Sequence, residues 1–278
     1  MLKQRVITAL VLLALLLPAL FASTAEPLAG LTLVLIAAGA WEWGRLNGFA
    51  MRGALRVAAV CVMLCFYAWS ARWAYDAPVN IWAFTGATWV LVAGWLIHHG
   101  VDRWATISRA VRLVLGVMAL WLTWVAMYQA KVMGVNFLLS VLFLVWMADI
   151  AAYFSGRAFG RRKLAPAISP GKSWEGVWGG MVGVLLMACI WIWVDVHYAV
   201  DSPSLYTRLY LRGATFLILA TLFLTLMSVA GDLVESLVKR SAGMKDSSHL
   251  LPGHGGVLDR VDALLPALPL ALMLTQTL

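Results

Sequence analysis

A polar segment near the C-terminus, residues 228–262, concentrates the side chains whose chemistry suggests a catalytic site. It holds five of the thirteen acidic residues of a 278-residue chain that is otherwise 63% hydrophobic. Its first part repeats polar residues with the spacing i, i+3, i+4 and i+7, which is one face of a helix. These residues are Asp232, Glu235, Ser236 and Lys239. We therefore predict a helix with one ionic side.

The second part, residues 251–262, has the composition of an anion-binding loop. Glycines bring backbone N–H groups close to a bound anion, and here Pro252, Gly253, Gly255 and Gly256 surround His254. Asp259, Arg260 and Asp262 follow directly. Carboxylates attract divalent metal ions, and glycine amides, Lys and Arg attract phosphate, so the segment predicts a metal-nucleotide or metal-phosphate site. A solvated loop between membrane helices is the alternative, but it would not need this order of residues.

A second polar stretch, residues 169–176, also suits phosphate. Ser169, Lys172 and Ser173 supply two hydroxyls and an ammonium group just before an apolar run. The start of a helix there would favour a bound phosphate. The Gly-Lys-Ser sequence is not a nucleoside-triphosphate P-loop, because the required first glycine falls at Pro166 and the preceding segment is predicted to be basic and helical. A solvated basic turn is the alternative.

These segments resemble the signature of the phosphatidate cytidylyltransferases, also called CDP-diacylglycerol synthases. The resemblance extends over about 27 mostly polar positions without a gap, which is more specific than a lone glycine motif. The matching residues are Ser236, Val238, Lys239, Arg240, Lys245, Asp246, Pro252, His254, Gly255, Gly256, Val257, Asp259, Arg260, Val261 and Asp262. Residues 231–233 and 169–176 also resemble the family, which usually has Lys where this chain has Gly171. The first 130 residues match only as a hydrophobic region with several spans.

The resemblance implies transfer of the cytidylyl group of CTP to phosphatidate, giving CDP-diacylglycerol and diphosphate. The expected catalytic residues are Asp232, Lys239, Asp259 and Arg260. The expected substrate-binding residues are Ser169, Lys172, Ser173, Ser236, Arg240, Lys245, His254, Gly255 and Gly256. Mg²⁺ suits carboxylates that work with substrate phosphates, and its expected ligands are Asp232, Asp259, Asp149 and Asp262. We predict that Asp232 and Asp259 meet at one Mg²⁺ ion; K⁺ as a second ion and a homodimer are further implications of the resemblance.

The composition determines what kind of structure must position these residues. With only 12% charged residues, fifteen Trp and a mean hydropathy of +0.86, the chain is predicted to be an all-α polytopic membrane protein. A span needs about 20 apolar residues. Nine segments qualify, near residues 6–25, 28–43, 57–71, 79–97, 113–130, 137–154, 177–194, 213–231 and 261–278. We divide them into an N-terminal region, residues 1–130, and a catalytic region, residues 131–278, with polar motifs at 155–176 and 232–262.

The basic residues predict the orientation in the membrane. If the N-terminus is cytoplasmic, seventeen of the 21 Lys and Arg residues fall on the cytoplasmic side. Only Arg72, Lys131, Arg208 and Arg212 remain for the other side. This distribution follows the positive-inside rule and places the C-terminus in the periplasm of a bacterial inner membrane. The net charge of +8 then reflects membrane topology and anionic lipid headgroups rather than a nucleic acid partner.

Two acidic residues fall inside predicted spans. Asp149 lies in an apolar run, where a carboxylate is costly unless it has a partner or faces water, so we interpret it as functional. A structural ion pair is the alternative. Glu42, between Trp41 and Trp43, is interpreted as an interfacial residue near Arg45.

Two other functional classes remain open from the residues alone. A transporter would carry several charges at mid-membrane depth and related halves, whereas here the acidic residues cluster at one edge. Another CTP-dependent or lipid-phosphate enzyme, such as a polyprenol kinase or a CDP-alcohol phosphotransferase, is the third hypothesis. The Asp-Gly-x-x-Ala-Arg pattern of the phosphotransferases is absent from the sequence.

Overall fold

The computed structural model describes residues 2–276, which form a helical bundle with one short β-hairpin. The helices are α1 (Leu2–Phe21), α2 (Glu26–Leu46), α3 (Met51–Ser70), α4 (Val79–His99), α5 (Val101–Thr106), α6 (Arg109–Met133), α7 (Val135–Phe159), α8 (Trp174–His197), α9 (Leu205–Tyr210), α10 (Ala214–Ser241), α11 (Leu258–Val261) and α12 (Leu264–Gln276). The strands are β1 (Lys163–Ala165) and β2 (Ser169–Ser173). The predicted all-α membrane class is confirmed, and the hairpin is an addition to it.

Eight of the nine predicted spans contain a helix that is long and apolar enough to cross a membrane. Within residues 2–276 these helices are α1, α2, α3, α4, α6, α7, α8 and α10. The ninth predicted span, 261–278, corresponds to α12, which has 13 residues. At 1.5 Å per residue α12 is about 20 Å long, against a hydrocarbon core of about 30 Å. The last two residues of that predicted span lie outside the described residues.

Helix α12 forms the centre of the bundle. It packs against α4 and α6 from the first half of the chain and against α7, α9 and α10 from the second half. Every residue from Leu264 to Leu272 is buried. At its C-terminal end the Arg212 guanidinium donates to the carbonyls of Leu274 (2.6 Å) and Thr275 (3.2 Å), which satisfies carbonyl groups that a helix end leaves unpaired.

The segment before residues 169–176 is not helical, so that prediction is wrong. Helix α7 ends at Phe159, and the chain then forms the antiparallel pair β1–β2. Prolines at positions 166 and 170 explain the change, because each lacks an N–H donor and disfavours a helical conformation of the residue before it. The backbone N–H groups of Arg161 and Arg162 donate to the Glu175 carboxylate (3.1 and 3.2 Å), which fixes the hairpin to the start of α8.

Helices α7 and α8 approach each other very closely, and this contact positions the hairpin. A Cβ atom added at Gly176 would lie 3.0 Å from the Ala152 carbonyl oxygen, and one added at Gly180 would lie 3.0 Å from the Ala148 carbonyl oxygen. Small residues allow such backbone contact between membrane helices. The first turn of α8 is thereby held beside the turn of α7 that carries Asp149.

The orientation predicted from the basic residues has a direct test. In a variant with Cys61, Cys65 and Cys189 replaced by Ala, we introduce Ala242→Cys after α10 or Ala199→Cys after α8, both at exposed positions. An impermeant maleimide is expected to label position 242 only from the cytoplasmic side and position 199 only from the periplasmic side, because the first loop belongs to the basic set and the second does not. Labelling of both cysteines from one side would contradict the predicted topology.

Candidate active site

Two lysines anchor the polar end of the bundle, and each is paired with carboxylates. Lys172 on β2 places its Nζ 2.7 Å from Oδ2 of Asp232 on α10. Lys239, two turns further along the same face of α10, pairs with Glu235 and lies 2.5 Å from Oδ1 of Asp259. The helix predicted from the spacing of the polar residues is therefore present, and its ionic face meets both the hairpin and the glycine-rich loop.

Asp259 is held by an unusually complete set of donors. Besides Lys239 on Oδ1, its Oδ2 accepts the backbone N–H groups of Ser247 (2.9 Å) and Gly256 (2.8 Å). The Ser247 hydroxyl oxygen also lies 2.9 Å from Oδ2, and its one proton is shared with the Glu42 carboxylate. Burial by itself raises the pKa of Asp259, but the bonds from Lys239 and the backbone outweigh it and lower the pKa below the usual aspartate value. Asp259 is therefore an anion throughout the physiological pH range.

The glycine-rich loop is a compact turn. Leu251 and Gly255 form an isolated β-bridge, and Gly255 has a φ of +85°, a conformation that favours glycine. Arg260 closes the turn, because its Nε and Nη2 donate to the His254 carbonyl at 3.0 and 2.5 Å. The imidazole Nδ1 of His254 is buried without a hydrogen-bond partner among the described residues.

Glu42 organises this loop, although its position between Trp41 and Trp43 predicts an interfacial residue. Its side chain is fully buried, with an exposed fraction of 0%, so the interfacial interpretation is wrong. Its Oε1 accepts from the Ser248 hydroxyl (2.5 Å) and the Val257 N–H (2.9 Å). Its Oε2 accepts from the Ser247 hydroxyl (3.1 Å) and the Leu258 N–H (2.7 Å). The one available signal was an acidic residue between two tryptophans in an apolar run.

Asp232 lies at the centre of a second group of carboxylates. It accepts a hydrogen bond from the Ser236 hydroxyl (3.2 Å) and interacts electrostatically with both Asp149 and Asp262. Lys172 also interacts with Asp149 and Asp262. Helix α10 approaches Asp262 closely, since a Cβ atom at Gly231 would lie 2.5 Å from the Asp262 carbonyl oxygen. Four separate segments, α7, β2, α10 and the one that follows α11, thus bring these residues together.

The other predicted site residues lie around this centre. Ser169 and Lys172 are on β2, and Ser173 caps α8 by accepting the Gly176 N–H (3.2 Å). Arg240 donates through Nε to the Ile168 carbonyl (3.4 Å), which joins α10 to the hairpin turn. Lys245 is exposed. Asp232 and Asp259 belong to the same polar end but pair with different lysines, so the structure does not test their predicted meeting at one ion.

The carboxylates at this end of the bundle suit a magnesium ion whose remaining ligands come from substrate phosphates and water. Five carboxyl groups surround two ammonium groups, and this excess of acid favours a cation. The acidic residues are Asp149, Asp232, Glu235, Asp259 and Asp262. Among the described residues no three His, Cys, Asp or Glu side chains are arranged to hold an ion by themselves. Mg²⁺ is usually bound by one or two carboxylates together with substrate phosphates and water, so the arrangement suits that ion.

The four donors on Glu42 generate a prediction. In Glu42→Gln one oxygen becomes an NH₂ group that opposes the N–H of either Val257 or Leu258, and a backbone N–H cannot rotate away as a hydroxyl can. A buried unsatisfied donor costs about 1–3 kcal/mol. We expect a lower Tm in a thermal unfolding scan. We also expect a loss of turnover of at least about tenfold, because the loop that Glu42 holds carries Asp259, the partner of Lys239, and a small displacement of such groups slows catalysis.

The matched control is Glu26→Gln at the other end of the same helix. Glu26 accepts hydrogen bonds from the hydroxyls of Tyr75 (2.7 Å) and Tyr128 (3.1 Å), from the Thr24 side chain and from its own backbone N–H. Most of these donors are hydroxyl groups, which can reorient toward the amide oxygen. Glu26→Gln should therefore retain turnover within about twofold. If Glu42→Gln matches wild type in Tm and turnover, or if the two variants behave alike, Glu42 does not position the loop.

Comparison with known proteins places the chain in a family. The model of the cytidylyltransferase family matches residues 3–278. A phosphatidate cytidylyltransferase of Pseudomonas aeruginosa is 38% identical over 272 residues, which cover 97% of this chain and 95% of the relative. One of Haemophilus influenzae is 37% identical, covering 97% of this chain and 96% of the relative. One of Bacillus subtilis is 40% identical over 136 residues, or 49% of this chain and 46% of the relative. With a match across nearly its whole length and two relatives covered almost completely, the chain belongs to the cytidylyltransferase family.

Proposed function

We propose that this protein is a phosphatidate cytidylyltransferase, which converts CTP and phosphatidate to CDP-diacylglycerol and diphosphate in phospholipid biosynthesis. The observation that carries the proposal is the pair of lysine–carboxylate contacts, Lys172–Asp232 and Lys239–Asp259, gathered at one end of a membrane bundle. The relatives that cover the chain almost completely carry that name. Both findings favour this function over a transporter or a polyprenol kinase.

The reaction requires two anions to approach each other. An oxygen of the phosphatidate phosphate forms a bond to the α-phosphorus of CTP, and the bond from that phosphorus to the β-phosphate oxygen breaks, so its electron pair leaves with diphosphate. A phosphate monoester has its second pKa near 6, so the attacking oxygen is already ionised at neutral pH. The main task of the protein is to align the two phosphates and to reduce their repulsion.

Lys172 and Lys239 are the groups best placed to receive phosphate oxygens. Lysine acts on phosphate as a compact positive charge with three donors. Lys172 stands on the hairpin beside the first turn of α8, whose backbone N–H groups favour an anion, and Lys239 stands beside the glycine-rich loop. Two exposed basic residues, Arg240 in the last turn of α10 and Lys245 in the loop that follows, are suited to the departing diphosphate.

The residues that would hold Mg²⁺ are Asp232 and Asp262, with Asp149 within electrostatic range. Bound there, the ion would neutralise phosphate charge and polarise the phosphorus–oxygen bond. Asp259 has both oxygens occupied by Lys239, Ser247 and Gly256. We therefore assign Asp259 to holding Lys239 and the loop, and this assignment modifies the expectation of a shared ion with Asp232.

The positions of the basic residues support an active site on the cytoplasmic face of the inner membrane, where CTP is available. The polar end carries Lys172, Lys239, Arg240 and Lys245, which belong to the predicted cytoplasmic set. Phosphatidate would then reach the cluster from the adjacent membrane leaflet.

The metal assignment separates two variants. Asp232→Asn should reduce turnover by at least about a thousandfold, because a group that stabilises transition-state charge is lost, and excess Mg²⁺ should restore part of the activity. Asp259→Asn should lose turnover without any change in its Mg²⁺ dependence. The measurement is the formation of lipid-soluble nucleotide from labelled CTP and phosphatidate across an Mg²⁺ titration. Near-normal activity in Asp232→Asn, or a shifted Mg²⁺ requirement in Asp259→Asn, would contradict this division of roles.

The serine environments predict a single displacement rather than a cytidylyl-serine intermediate. The Ser173 hydroxyl caps α8, and the Ser236 hydroxyl donates to Asp232. Among the described residues neither hydroxyl bonds to a histidine that would activate it as a nucleophile. We expect inversion at the α-phosphorus and no exchange of labelled diphosphate into CTP when lipid is absent. Such exchange, or label from [α-³²P]CTP remaining on the denatured protein, would establish the two-step route.

A further inference from the structure

A deep apolar crevice separates α4 from α6. Both helices pack against α12, but they make no extensive contact with each other, and α10 closes the space between them from behind. The crevice has a volume of about 340 Å³, which falls in the range of about 300–1,000 Å³ that is usual for ligand pockets. Its walls include Phe84, Thr88, Leu96, Val114, Ala119 and Glu235.

The surface of the crevice suits a hydrocarbon chain. The hydroxyls of Thr85 and Thr88 donate to carbonyls of their own helix, at 2.7 and 2.8 Å, and are not needed by a ligand. Glu235 is the one ionisable side chain among the lining residues of the described chain. The opening is equally apolar, since Phe84 and Val114 have exposed fractions of 73% and 60%. A polar ligand would find almost no partner along these walls.

The dimensions match one leaflet of a membrane. Along α4 the crevice extends from Leu96 to Phe84, which at 1.5 Å per residue is about 18 Å. Half of a hydrocarbon core of about 30 Å is about 15 Å. A fatty acyl chain that leaves the polar end of the bundle would therefore reach the middle of the membrane inside the crevice.

The polar end of the crevice adjoins the proposed reaction centre. Glu235 belongs both to the crevice wall and to the Lys239 ion pair, and the lining residue Gly231 directly precedes Asp232. Trp104 lines this end, and its buried indole N–H has no hydrogen-bond partner among the described residues. A buried donor without an acceptor is costly, and the ester carbonyl of a glycerolipid is an acceptor.

We propose that this crevice binds one acyl chain of the lipid substrate, with the ester group near Trp104 and the phosphate at the lysine–carboxylate cluster. The proposal rests on the proposed function for the identity of the lipid. The crevice then makes long acyl chains part of substrate recognition.

The test is a substitution that fills the crevice, with kcat/KM compared between a long-chain and a short-chain phosphatidate. Ala119→Trp places an indole inside the crevice, and Val111→Trp is the control, because Val111 lies on the same helix, is 48% exposed and does not line the crevice. We expect Ala119→Trp to lower kcat/KM for dioleoyl phosphatidate at least about tenfold, within the range that hydrophobic pockets give for lost apolar contacts. The kcat/KM for dihexanoyl phosphatidate and the KM for CTP should stay within about twofold, and Val111→Trp should resemble wild type for both lipids.

Three outcomes would overturn the proposal. They are an equal loss of kcat/KM for both lipids in Ala119→Trp, no loss for either lipid in that variant, and a selective loss for dioleoyl phosphatidate in Val111→Trp as well. Inactivity of wild type toward both lipids would instead refute the proposed function.

A second measurement works on wild type without turnover. A phosphatidate with a diazirine near the end of one acyl chain should label residues 84–122, and excess phosphatidate should compete with this labelling while phosphatidylcholine should not. Equal competition by the two lipids would identify the occupant as bulk membrane lipid and overturn the proposal.

Discussion

The buried carboxylate of Glu42 is the interaction on which the polar end of the molecule depends. An ionised carboxylate away from water is very costly unless hydrogen bonds compensate it, and Glu42 has four donors, all from the glycine-rich loop and the segment before it. The loop in turn depends on Glu42, because the N–H groups of Val257 and Leu258 begin a short helix and have no other acceptor within residues 2–276. The carboxylate and the loop N–H groups therefore satisfy each other, and without this contact both would be buried without a hydrogen-bond partner.

This interaction joins the two halves of the chain at the place where the chemistry is proposed. The Ser247 hydroxyl donates to Glu42, the Ser247 backbone N–H donates to Asp259, and Asp259 binds Lys239. A continuous hydrogen-bonded path therefore leads from α2, in the first fifty residues, to the ionic face of α10. The N-terminal region contributes to the site through this path, although its sequence resembles the family only in being hydrophobic.

Local patterns predicted much of the fold and the polar face, but not the contacts between distant segments. The spacing of Asp232, Glu235, Ser236 and Lys239 is enough to predict a helix, because helical periodicity is local. The contact of Lys172 with Asp232 and that of Glu42 with the loop join residues 60 and more than 200 positions apart, and no pattern in one sequence encodes them. The hairpin at Lys163–Ser173 does not follow from the basic composition of this segment, which favours a helix, whereas the two prolines disfavour one. Helix α12 shows a second limit of sequence patterns. An apolar run predicts that a segment is shielded from water, but it does not distinguish a span surrounded by lipid from a helix that is buried in protein, as α12 is.

The same ion pairs that hold the site together explain how it can accept two anions. Lys172 on the hairpin neutralises Asp232, and Lys239 on α10 neutralises Glu235. Glu235 also lines the apolar crevice. On the proposed function, a cation at Asp232 would take over the neutralisation of that carboxylate and leave the Lys172 ammonium to a phosphate oxygen. Lys239 would remain fixed by Asp259, whose lowered pKa keeps it ionised. Lys172 then exchanges its carboxylate for phosphate, whereas Lys239 meets phosphate with its remaining N–H group while it stays bound to Asp259. On this proposal the protein binds substrate charge without releasing the loop that Glu42 holds.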